Sequence, residues 1–471
     1  MLRSLHPVLV IARREVRDQF RDWRIIFPII GLTILFPFLM NFTAGQMLGF
    51  VNQYGAAIIA ERLIPFLLMI VGFFPISVSL VIALESFVGE KERGSIEPLL
   101  NTPLEDWQLY MGKLLSSTVP PLFSSYLGMT VYLVGLAISK IPIPDIQLLI
   151  LVIFMTTVQA FLMVAGAVVV SCQATSVRSA NLLSSFIILP VAFLIQGESM
   201  VMFWGNYATL WWVVFGLVVF SLLLIRVGLA HFQREELLGR EIDVLNFKWG
   251  WRVFKEQFLD GASSLREWFG RVLPLVIYRM RWAVAVVVVI CVAAFFTGQY
   301  LVTQFPIELN KDGSDVADGV RKLIQYWPLF SFAPVITIWW QNVRALILGM
   351  VLGVFSFGIM GLLPIFFTIA SIGYLGQILS NNGFPAVQFV TSMVLPHGVI
   401  EIPAAILATA AIVYAGAKLA TPAAQETFGE TWVRAMADWV KVMIGLVIPL
   451  LLVAAAIEAW VTPQIVLRLF Q

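Results

Sequence analysis

Charge is scarce in this sequence: Asp, Glu, Lys and Arg make up 12% of its 471 residues, while 60% are apolar. A water-soluble globular protein carries about 25% charged residues, so this chain cannot be solvated on all sides. Histidine occurs three times and cysteine twice. Cys172 and Cys291 lie in or beside apolar runs, with no CxxC and no close pair, and so indicate neither a disulfide framework nor a metal site. They read as small apolar packing residues. Three histidines leave little material for a metal centre or a triad, and no metal or cofactor is expected. The chain also lacks GxxxxGKS, GxxxxGKT, HExxH and GxSxG. The missing phosphate loop excludes ATP binding by that route, and together these absences argue against an enzyme. Nothing points to nucleic acid as a partner.

What the sequence does have is apolar runs of about 18 to 25 residues, long enough to cross a ~30 Å hydrocarbon core at ~1.5 Å per residue. A transmembrane barrel would instead alternate polar and apolar residues over short segments. The expected class is therefore all-α, a polytopic membrane protein. Spans are expected at 24–45, 62–87, 114–138, 147–170, 179–197 and 208–227. Basic residues flank this block on one side: Arg13, Arg14, Arg17 and Arg21 before it, Lys91, Arg93 and Lys113 between spans two and three, Arg226 and Arg234 after it. Stretches such as "SKIPIPDI" and "GESMVMFWGNYAT", expected as loops on the other side, are nearly free of them. By the positive-inside rule, both ends of the block face the cytoplasm. The opening "MLRSLHPVLVIARREVRDQFRDWR" is too broken by charge for a signal peptide. Val8, Leu9, Ile11, Ala12, Val16 and Phe20 recur near helical period, as in an amphipathic helix lying on the membrane surface.

Residues 229–273 mix charges with aromatic and aliphatic residues and read as a cytoplasmic amphipathic linker. It separates a first domain, 1–228, from a second membrane block, 274–471. About five membrane segments are expected in that block, near 275–301, 342–362, 364–380, 387–418 and 440–460. The segment 387–418 carries Pro396, His397, Gly398 and Glu401 at its middle, so a broken or re-entrant helix is expected there. No internal repeat relates the two blocks.

After the second expected span comes "EKERGSIEPLLNTP", residues 90–103, with Glu90, Lys91, Glu92, Arg93 and Glu97 around Gly94. Read alone, it is a solvated loop with helix-capping charge. It also resembles the charged turn EKExGxxExLLxTP of type-2 ABC transporter permeases, with Leu99, Leu100, Thr102 and Pro103 matching as well. The likeness covers about residues 1–235 and implies a six-helix exporter-type permease in the cell membrane of a bacterium. It further implies that Glu90, Lys91, Glu92, Arg93, Gly94 and Glu97 dock a separate ATP-binding-cassette ATPase subunit, and that a second permease copy or paralogue completes the path. Many family members have a large external domain between the first two spans; this sequence has only a short loop there.

The second block resembles the stage II sporulation protein M family through Pro396, His397, Gly398 and Glu401, which match PHGxxE, and through Ile457, Glu458 and Pro463, which match a terminal IExFVxP element. Gln341 departs from the usual asparagine doublet. His397 and Glu401 are four apart and share a helix face if the backbone is helical. Ionisable groups in an apolar segment are functional by default, or they form a satisfied hydrogen bond that only fixes packing; both readings stand at this point. Glu458 sits deep or snorkels to an interface. Gly349, Gly353, Gly358 and Gly361 have the small-residue spacing of close helix packing. The expected function is the permease subunit of an ATP-driven exporter with a fused second domain. The alternative is a membrane scaffold that recruits envelope or peptidoglycan-remodelling partners without transport.

Overall fold

A computed structural model describes the chain except for residues 1, 55–56, 175, 206, 233–246, 308–331, 422–425 and 470–471. Among the described residues there are helices and no strand. Ten helices among these residues are long and apolar enough to cross a membrane, five within residues 26–230 and five within 281–465. Hydrocarbon offers no partner to a backbone N–H or C=O, so apolar runs of this length close their hydrogen bonds internally as helices. The protein is a polytopic all-α membrane protein. Its internal contacts divide it into two units, Met1–Leu245 and Asn246–Gln471.

Unit 1 contains α1 (Leu2–Gln19), α2 (Trp23–Tyr54), α3 (Ala57–Glu92), α4 (Ile96–Leu100), α5 (Asp106–Ile138), α6 (Ile146–Gln173), α7 (Val177–Leu183), α8 (Ser185–Phe203) and α9 (Tyr207–Ala230). The core gathers on α3, which packs against α2, α5 and α6, with Leu68, Met69, Ile76, Leu84 and Phe87 buried. The amphipathic α1 lies on α5, where Ile11 seats over Gly112. A Cβ at Gly112 would come within 2.8 Å of Ile11 Cγ2. The span expected at 179–197 is instead two helices, α7 and α8, meeting at Ser184. Ser176 starts α7 by accepting the Ser179 N–H, a side-chain N-cap just before the expected span, and the boundary inside that span falls at Ser184. Its apolar part, Val191–Phe203, is shorter than the other spans. "GESMVMF", expected as loop, is the last two turns of α8.

Unit 2 contains α10 (Phe247–Leu259), α11 (Leu273–Arg279), α12 (Arg281–Gln304), α13 (Phe332–Phe355), α14 (Leu363–Asn381), α15 (Leu395–Ala420), α16 (Phe428–Val442), α17 (Ile448–Trp460) and α18 (Thr462–Leu469). Of the stretch read as a linker, residues 233–246 lie outside the described residues, and α10 packs on α16 within this unit. The two cysteines, one in each unit, are both free.

Among the described residues of unit 2, three π-helical turns interrupt the helices, at Trp268–Val272, Val390–Val394 and Met443–Val447. Each is followed by a helix with proline at its second residue: Pro274, Pro396 and Pro449. A proline ring collides with the carbonyl four residues earlier and has no N–H to offer it. That carbonyl belongs to Gly270, Ser392 or Gly445, inside the wide turn in every case. The helix break expected at Pro396–Gly398 is therefore corrected. Regular helix runs through 395–420, and the irregular turn lies just before it.

Glycines set the close approaches. A Cβ on Gly298 of α12 would lie 1.9 Å from the Ala370 carbonyl oxygen of α14, and one on Gly373 would lie 2.2 Å from the Phe295 oxygen. Gly353 and Gly361 both abut Ile412 of α15, while Gly358 turns the chain at φ +90°. These contacts realise the small-residue packing expected of 349–361, although Gly349 itself has more room, with Pro364 Cγ at 3.3 Å.

Candidate functional site

The turn after α3 is built by its own sequence. Gly94, at φ +67°, ends the helix. The Ser95 N–H donates to the Glu90 carbonyl at 3.0 Å and the Gly94 N–H to the Lys91 carbonyl at 3.2 Å. This is the paired closure that glycine permits at a helix C-terminus. Ile96 and Leu100 bury the inner face of α4, and Glu97 and Pro98 stay exposed. At the far end, Gln108 Oε1 accepts the Glu105 N–H at 3.0 Å and starts α5.

The charges nominated in this turn divide into two groups. Glu90 points inward: its Oε1 is 3.1 Å from Lys113 Nζ, and its Oε2 accepts from the Ser95 hydroxyl. Lys113 also reaches Glu15 Oε1 at 3.0 Å, so one lysine, 2% exposed, joins α1, α3 and α5. Glu92 is exposed yet engaged, accepting the Val177 N–H at the start of α7 at 2.7 Å. That bond occupies one of the donors a helix N-terminus leaves unpaired. Arg93 and Glu97 face outward, Arg93 with a long 3.9 Å contact to Glu85. Lys91 is half-buried. Beside the turn, Glu105 and Asp106 are exposed, so the outer surface is predominantly acidic.

Deeper in unit 1, Gln159 Nε2 donates to Glu198 Oε2 at 2.5 Å, with both residues buried. Gln159 Oε1 and Glu198 Oε1 have no partner among the described residues. A cavity of about 570 Å³ opens near the N-terminal ends of α3, α6 and α9, lined by Ile64, Pro65, Leu148, Leu151, Tyr207 and Trp211. It lies at the opposite ends of α3 and α6 from the charged turn.

In unit 2 the polar element sits at the start of α15. Pro396 fills the second position of the helix, Gly398 is buried, and His397 and Glu401 are half-buried one turn apart. Their neighbour is Glu458 of α17: an imidazole nitrogen and one oxygen of each carboxylate all lie within 4.8 Å of one another. His397 Nδ1 lies 3.3 Å from Thr462 Oγ1. The partner expected for the imidazole was Glu401. The ring instead meets Thr462, because α17 and α18 turn back onto this end of α15. Glu458 does not snorkel free; it closes the cluster.

A second group went unnoticed in the sequence. Asp438 of α16, 2% exposed, binds Lys418 Nζ at 2.8 Å, Lys441 Nζ at 2.9 Å and Gln257 Nε2 at 2.8 Å. The available signal was Lys418 and Lys441, lone lysines at the edges of apolar runs.

These two units match two separate families. Residues 9–210 match the family model for ABC-2 family transporter protein, and residues 282–463 match the one for stage II sporulation protein M. No curated protein matches the chain. The chain thus joins an ABC-2 permease-like membrane component to a stage II sporulation protein M-like one, as the motifs at 90–103 and 396–401 implied. The ABC-2 match takes in the four described helices between residues 26 and 173 that are long and apolar enough to cross a membrane.

Proposed function

We propose that the protein is the permease subunit of an ATP-driven ABC exporter that works with a separately encoded ATPase. The observation that carries this reading is the exposed, acidic turn at 92–106, held by the buried Lys113 bridge within the region that matches the ABC-2 family. The turn is short, capped at both ends and braced from inside, and it presents Arg93, Glu97 and Glu105 outward. Such a surface transmits a push from a docked partner to α1, α3 and α5 together. In this reading the turn and the N-terminus are cytoplasmic, in keeping with the arginines that flank the first block. A second permease copy or paralogue completes the translocation path. The apolar cavity at the other ends of α3 and α6 suits an apolar or amphipathic cargo. The scaffold alternative draws on the second unit alone and is not favoured.

The test is a pull-down from native membranes for an ATP-binding-cassette ATPase that co-purifies with the chain. Arg93→Glu with Glu97→Lys reverses the outward charges and leaves Glu90, Glu92 and Lys113 in place. The doubly reversed protein should insert normally and lose the ATPase. Undiminished co-purification would overturn the proposal.

A further inference from the structure

We propose that His397, Glu401 and Glu458 form a binding site for one divalent transition-metal cation of the zinc class. The donor set is one imidazole nitrogen and two carboxylate oxygens, all within 4.8 Å of one another. A tetrahedral ion with bonds of ~2.1 Å holds its ligands ~3.4 Å apart. The three side chains therefore need only close in slightly, which rotation of two glutamates supplies.

Charge balance points the same way. Glu401 and Glu458 have no hydrogen-bond or ion-pair partner among the described residues. Two facing carboxylates in a half-buried, apolar setting repel each other and are poorly solvated. A divalent cation neutralises the pair, whereas a monovalent ion leaves a net charge behind. The imidazole selects among divalent ions, since nitrogen donors suit zinc and its neighbours while calcium and magnesium take oxygen shells.

The surroundings of the histidine supply an independent reason. Thr462 Oγ1 lies 3.3 Å from His397 Nδ1 and 3.4 Å from the Ile457 carbonyl oxygen. With the hydroxyl donating to that carbonyl, Oγ1 accepts from Nδ1–H and Nε2 keeps its lone pair. Metal-binding histidines are commonly oriented through their second nitrogen in this way. The sequence reading, with three histidines in the whole chain, expected no metal; the ligands come from α15 and α17, far apart in sequence.

The test uses the full chain, purified in detergent without a polyhistidine tag, stripped with chelator and then titrated with Zn²⁺. Elemental analysis should find about one zinc per chain after desalting, and zinc should raise the melting temperature. Glu458→Gln and Glu401→Gln, each nearly isosteric, should keep a monodisperse profile and lose both effects. Thr462→Val should weaken binding by about tenfold. Millimolar Ca²⁺ or Mg²⁺ should not displace the zinc. Wild-type protein that retains well under one zinc per chain overturns the proposal, and this reading requires no variant to fold. So does equal retention by His397→Ala/Glu401→Gln/Glu458→Gln, or displacement of zinc by Ca²⁺ or Mg²⁺.

Discussion

Lys113 and Glu90 meet at 3.1 Å where α5 leaves and α3 ends, and the lysine side chain is 2% exposed. Glu15 approaches the same ammonium from α1 at 3.0 Å. Breaking a buried ion pair by removing one partner strands the other charges. Lys113→Met should therefore destabilise unit 1 by about 3 kcal/mol, at the low edge of the range for buried pairs because both glutamates are partly exposed. Adding Glu15→Gln and Glu90→Gln should recover much of that loss. Thermal unfolding in one detergent, followed across the single and triple variants, checks both halves of the expectation.

Asp438 holds two lysines, of which Lys441 is fully buried. Asp438→Asn leaves two like charges together in a poorly solvated place and should cost about 3 to 5 kcal/mol. Lys441→Met in the same chain should restore stability. If Asp438→Asn melts like the wild type, the cluster is not a structural brace.

The Gln159–Glu198 bond lies among membrane helices, where such bonds contribute about 0.6 kcal/mol on average and up to about 1.7. A double-mutant cycle with Gln159→Leu and Glu198→Leu should return a coupling within that span. Glu198→Gln keeps an acceptor and should be milder than Glu198→Leu. A transport assay beside the melting curve shows whether the unpartnered oxygens also serve the cargo: transport lost at unchanged stability is the expected sign that they do.

Gly298→Ala puts a methyl group 1.9 Å from the Ala370 carbonyl oxygen, so α12 and α14 must part. Overpacking of this kind costs about 1 to 3 kcal/mol, and backbone obstacles lie at the upper end. Gly349→Ala, where Pro364 Cγ stands at 3.3 Å and the Gly361 carbonyl oxygen at 3.4 Å, should cost far less. Comparing the two by melting temperature separates glycines that fix a contact from those that merely line one.

Much of this architecture was legible in the residues. Apolar length alone indicates the spans, because lipid leaves the backbone no other option. The turn at 90–103 was legible too, since Gly94 is the residue a left-handed helix end requires. The inward role of Glu90 was not, because it depends on α1 docking against α5, which no local pattern encodes. Pro396 shows a different failure. Its constraint acts on the carbonyl four residues earlier, so the irregular turn falls upstream of the residue that announces it. Glu198 was hidden by the polar look of "GESM", and only the approach of Gln159 across the bundle makes that stretch an interior one.

The wide turn at Met443–Val447 acts as a dial between α16 and α17. A π turn carries about one residue more than the α turn it replaces, and each residue advances an α-helix by about 100°. The polar-faced α16 and the apolar α17 are thus one continuous rod whose two ends are set at different angular phases. Winding the same residues 443–447 evenly as α-helix would swing Glu458 about a quarter-turn around the axis, away from His397. The cluster at the start of α15 is timed by a turn about three helical turns before Glu458, in which none of its members resides.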